Sequence, residues 1–203
     1  LPPIHSPAFL RPVFSCAIIP HMLLPIGDEN PCERRPYVNY TILALNIFCF
    51  VLYCFPEPSQ AILLNRAMLP GTISFSDPST WGTVFTSMFL HGDIFHLLGN
   101  MLFLWIAGDN VEDKLGHIPY AIFYLLCGVA ASFLHVASDA ASMIPTLGAS
   151  GAISGVIATY VVFFPTHRIK IFIWVIFFFY IFCWRHVLMH GSMCASACLE
   201  LYI

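Results

Sequence analysis

Five stretches of the chain are apolar almost without interruption, and each approaches the length of about 20 residues that a helix needs to cross a bilayer. They run over 37–55, 81–107, 118–137, 147–164 and 169–184. The segment between the first two, residues 56–80, is different. It carries Pro56, Pro58, Pro70 and Pro78 and mixes polar with apolar positions, which suits a segment lying at the membrane surface. The pattern predicts an all-α polytopic membrane helix bundle. The 147–164 span has many small residues and no charge, so it is expected at the centre, where close approach is needed.

Composition agrees with that pattern and removes other classes. Hydrophobic residues make up 59% of the 203 positions and charged residues 9%, with a formal net charge of −3. Ordinary soluble domains carry about 45–50% apolar and about 25% charged residues. So few charges cannot solvate a water-soluble surface, and no basic patch invites nucleic acid. The lipid bilayer is the expected surrounding. Alternating the spans places Arg34, Arg35, Lys114, Arg168 and Lys170 on one side, against Arg66 and Arg185 on the other. The positive-inside rule makes the first side cytoplasmic, N-terminus included, in a plasma or inner membrane. Residues 1–36 read as a cytoplasmic arm and 37–203 as the membrane domain. Within the arm, 1–21 are Pro-rich and read as upstream or non-native sequence; their prolines break any signal-peptide core. The eight cysteines suggest no disulfide framework.

Polar groups at membrane depth are costly and call for an explanation. One cluster is His91-Gly-Asp-Ile-Phe-His96-Leu-Leu-Gly-Asn100, in which His96 and Asn100 share a helical face. Hydrogen bonds that hold helices together would account for it equally well. A second cluster, Gly148-Ala-Ser150-Gly151-Ala-Ile-Ser154-Gly155, opens the fourth span. Gly151 and Gly155 form a GxxxG that favours helix contact whatever the function. Ser150, however, falls in a first helical turn, where free backbone N–H groups stabilise developing negative charge. Serine there, with His and Asn donors on a neighbouring helix, fits acyl transfer.

In order and spacing, His91-x4-His96-x3-Asn100 followed by Gly148-x-Ser150-Gly151 resembles the rhomboid family of intramembrane serine proteases. Gly108-Asp-Asn-Val-Glu112-Asp-Lys-Leu-Gly116 and the long interfacial loop add to the resemblance, which covers roughly 22–182. It implies that Ser150 is the nucleophile and that His96, Asn100 and the Ser150 N–H form an oxyanion hole. It also implies that His91 supports the outer mouth and that Glu112 ties cytoplasmic helix ends together. The substrates implied are transmembrane proteins, cut with no metal and no cofactor. One departure is Trp81-Gly82, where the family has Trp-Arg.

The same resemblance requires a histidine base on a sixth helix, within a Gly-x-x-His or Ala-His motif. Only 19 residues follow Trp184, fewer than a connection and a spanning helix need. His186 and His190 are the weak candidates; His135 reads as an interfacial histidine satisfied locally. The expectation is therefore a truncated or frame-shifted protease, inactive or severely impaired as given. The alternative is a non-catalytic relative that binds transmembrane clients. A transporter or channel would show paired broken helices in matching halves, and no such symmetry is present.

Overall fold

The computed structural model describes residues 21–28, 30, 32–55, 59–74, 77–166, 168–175 and 178–185. Within them the domain is a helical membrane bundle. Helix α1 is Tyr37–Cys49, prolonged by a π turn over Phe50–Cys54. The interfacial loop holds α2 (Gln60–Arg66) and two 3-10 turns, Pro70–Thr72 and Pro78–Trp81. Then come α3 (Gly82–Ser87), α4 (Ile94–Leu115), α5 (His117–Ser138) and α6 (Ser150–Phe163). Tyr37–Cys54, α4 and α5 are each long and apolar enough to cross a membrane. Helix α6 is apolar but only 14 residues long.

Helix α6 packs against both α4 and α5, and α4 also packs on α1. Leu104 and Val111 of α4, Tyr120 and Tyr124 of α5, and Val156 and Tyr160 of α6 are buried at their junction. The small residues of α6 are used for this contact. A β-carbon on Gly151 would meet Ala131, and one on Gly155 would meet the Cys127 thiol. Each helix thus offers small side chains four residues apart, so the backbones approach closely.

Three expectations need correction. The 81–107 span is not one helix. It breaks after α3, and α4 starts only at Ile94, because Asp93 caps it: the carboxylate accepts from the N–H of Phe95 (2.8 Å) and His96 (2.9 Å). The fourth span starts at Ser150, not 147, since Gly148 holds φ at +128°, outside helical geometry. The largest difference lies at 169–184. Here the structure has two antiparallel strands, β2 (Arg168–Val175) and β3 (Phe178–Arg185), in register from Val175↔Phe178 to Arg168↔Arg185. Strand β1 (His21–Asp28) pairs with β2, giving the order β1-β2-β3. Runs of Ile, Phe, Val and Trp favour strands, and an unbroken apolar run has no period to tell strand from helix. An open sheet cannot lie in hydrocarbon, so this segment adds no fifth spanning helix.

Candidate functional site

The bundle gathers its polar side chains at two opposite ends. At one end the chain leaves α5, crosses to α6, and places Ser150 as the first helical residue behind Ala149. A first helical residue has a backbone N–H with no partner inside its own helix. Two residues earlier, Gly148 donates its N–H to the Ser87 carbonyl (2.9 Å), which fixes the approach to α6. His96 Nε2 lies 2.8 Å from the point a Gly148 β-carbon would occupy, and Ser150 Oγ lies 3.9 Å from that same point. The imidazole and the hydroxyl therefore both border the space that the bare glycine leaves open. His96 Nε2 is buried and has no hydrogen-bond partner among the described residues.

Asn100 is one turn further along α4 and donates Nδ2–H to the His96 carbonyl (2.9 Å). That bond leaves its second amide N–H unassigned. His91 precedes α4 and is completely buried, its ring edge-on to His96 with centroids 5.1 Å apart. Burial, and then the neighbouring His96, push the His91 imidazole down to about 3, so it stays neutral. An unpaired imidazole nitrogen, a hydroxyl and a helix N-terminus converge on one spot. That is the equipment for holding a carbonyl oxygen as it gains charge.

The other end is built on a different polar residue. Helix α1 begins after Pro36, which has no side-chain cap to offer. Glu112 of α4 supplies one: its two carboxylate oxygens accept from the N–H of Val38 (3.0 Å) and Asn39 (2.7 Å). His117 Nδ1, at the start of α5, pairs with the same carboxylate. Asn39 reaches the Leu104 carbonyl (3.2 Å) and accepts from the Tyr120 hydroxyl (2.9 Å). Gly108 makes room for this, since a β-carbon there would collide with Asn39 Oδ1 and the Tyr120 oxygen. Asp113 holds the preceding arm by accepting from the N–H of Glu33 (3.1 Å) and Arg34 (2.9 Å). Three helix ends and the arm meet on α4's last two turns.

A model of the Rhomboid domain matches residues 78–197, more than half of the chain. The chain belongs to the rhomboid family. This rhomboid is 30% identical over 132 residues, 64% of its length, to the presenilin-associated rhomboid-like protein, mitochondrial, of Bos taurus. It is 28% identical over 142 residues (66%) to Rhomboid protein 1, mitochondrial, of Saccharomyces cerevisiae. It is 33% identical over 121 residues (60%) to the Rhomboid protease GluP of Bacillus subtilis. These matches cover 34%, 38% and 23% of the respective relatives. Family and apolar helices together make the chain an integral membrane protein.

Of the residues singled out in the sequence, the rhomboid structure brings Ser150, Gly148, His96, Asn100 and His91 to one end. Gly151 and Gly155 face α5 as packing residues, and Glu112 lies at the opposite end. His186 and His190 lie outside the described residues. Sequence reasoning passed over Asn39, His117 and Tyr120. Asn39 and Asn46, seven apart in an apolar span and both fully buried, were the available signal. His117 lay hidden because it meets Glu112 around the turn at Gly116, whose φ is +84°.

Proposed function

We propose that this chain is an intramembrane serine endopeptidase that cuts transmembrane-helix substrates, with Ser150 as nucleophile. The observation that carries the reading is that Ser150 Oγ and the unpaired His96 Nε2 both lie within 4 Å of the point a Gly148 β-carbon would occupy. Ser150 Oγ attacks the scissile carbonyl, and the oxygen that becomes negative is held by His96, Asn100 and the Ser150 N–H. The hydroxyl proton passes to a base, and the amine leaves with a proton. Water then releases the acyl group. The base is unassigned, and His186 and His190 stand as its candidates. A substrate helix must unwind at the cut, because a helical peptide bond is shielded from attack.

Depth supports the same reading. Fourteen residues of helix extend about 21 Å, less than the hydrocarbon core of about 30 Å. With the far end of α6 level with α4's end, where Lys114 Nζ lies 5.8 Å from the Phe164 ring centre, Ser150 falls below the opposite surface. The charges of the connecting loops support a cytoplasmic N-terminus, with the arm over 1–36 and the membrane domain beginning at 37. Single cysteines introduced at Lys114 and Arg168 are expected to label from the same side of sealed vesicles. Labelling from opposite sides would break the topology.

A fluorophosphonate probe in detergent micelles tests the chemistry. Labelling is expected to vanish in Ser150→Ala. It is also expected to be slow, because general-base help is worth about 10²–10⁴ in rate. Labelling that persists in Ser150→Ala overturns the nucleophile assignment.

A further inference from the structure

The connection between α5 and α6 carries Ser150, and the structure ties it down at one point with particular economy. His135, in the last turn of α5, has Nε2 2.8 Å from Thr146 Oγ1. The backbone of Thr146 exchanges two hydrogen bonds with Met68, its N–H to the Met68 carbonyl (2.8 Å) and the Met68 N–H to its own carbonyl (3.0 Å). Ala67, Met68 and Leu69 are almost completely buried, so this bridge lies inside the protein. Three residues on, Gly71 N–H bonds the Ser142 carbonyl (2.7 Å). The interfacial loop and the α5–α6 connection are thus laced together. The imidazole is what fastens the lacing to a spanning helix.

We propose that His135 is a positioning residue for Ser150, acting through Thr146 on the Thr146–Gly148 backbone that sets the hydroxyl against His96. Hydrogen bonds and a short run of backbone connect the two residues. His135 fixes the Thr146 side chain, and Met68 fixes the Thr146 backbone. Gly148, two residues further, is fixed by its N–H bond to the Ser87 carbonyl and leaves room for the His96 ring, which a β-carbon there would meet. Ser150 follows after Ala149, which is fully buried and cannot shift freely. Freeing Thr146 removes a side-chain bond between this loop and α5, and the slack falls on Gly148. A misplacement near 1 Å costs about 10²-fold in a rate that depends on near-attack geometry. The proposal rests on the reading of Ser150 as nucleophile.

The test compares His135→Phe, Thr146→Val, the double variant and His135→Gln, each in the full chain. Gln keeps a polar nitrogen close to the position of Nε2, whereas Phe keeps only the ring. Hydrogen–deuterium exchange is read first, because it needs no reaction. His135→Phe and Thr146→Val are expected to raise exchange across 139–149 and 66–72 by about tenfold, the double variant no further. His135→Gln should restore the parent pattern, and α4 should not change. The maximal rate of Ser150-dependent labelling should fall about tenfold in the same variants, with the probe concentration for half-saturation unchanged. Unaltered exchange in His135→Phe, or loss that Gln does not rescue, overturns the positioning role. Altered exchange together with labelling that persists in Ser150→Ala instead overturns the nucleophile reading and leaves His135 as an anchor of the loop.

Discussion

Glu112→Leu is expected to cost the protein roughly 2–5 kcal/mol, the range for leaving two capped backbone N–H groups without their acceptor. The side chain is 1% exposed, and its carboxylate is the cap of α1. Leucine fills similar volume but leaves the Val38 and Asn39 N–H groups buried or half-buried without acceptors, each costing about 1–3 kcal/mol. His117 loses its partner as well. Reversible unfolding in mixed micelles, followed by circular dichroism, measures the loss. Hydrogen exchange at 37–40 should rise ahead of global unfolding, because the first turn of α1 frays first. Glu112→Gln should fall between, since one oxygen still accepts while the amide meets a second donor. A loss below about 1 kcal/mol in Glu112→Leu would mean that water caps α1 as well as the carboxylate does.

Gly148→Ala is expected to abolish Ser150 labelling nearly completely, by about 100-fold or more. Two effects act at once. The φ of +128° is a region that L side chains rarely adopt, with a strain of about 1–3 kcal/mol. The new methyl would also sit 2.8 Å from His96 Nε2, so the ring or the loop must move. Either movement separates the groups that have to converge. Gly99→Ala is the matched control, because nothing lies within 4 Å of its added carbon. It should label as the parent does and unfold no earlier, alanine being the better helix former by about 1 kcal/mol. Equal labelling in Gly148→Ala and Gly99→Ala would sink the claim that Gly148 sets the site.

The bundle was legible where apolar runs had charged or capped ends. The 118–137 span became His117–Ser138, and 37–55 became α1 with its π turn, because Arg34, Arg35 and Lys114 bounded them. The break inside 81–107 was signalled by Gly92-Asp93 ahead of an apolar stretch, a cap pattern that the continuous hydropathy concealed. At 169–184 no signal existed, since β-branched and aromatic runs satisfy a spanning helix and a buried strand equally. The serine end was legible as a set of polar residues in apolar surroundings. Its partners at long sequence distance were not. Gly148 against His96, and His135 against Thr146, are created by the turn of the chain and leave no local pattern.

The carboxylate that completes α1 also has a consequence in time. Helix α1 leaves the ribosome before α4, and the cap of its first turn lies 73 residues later in the chain. At about 5–20 residues per second, the nascent helix waits roughly 4–15 seconds for Glu112 to be made. Through that interval Val38 and Asn39 must spend their N–H groups on water or lipid headgroups. The arrival of α4 is then what locks α1 in place, so assembly of this bundle is ordered by a bond that cannot form until the end of α4 has been made.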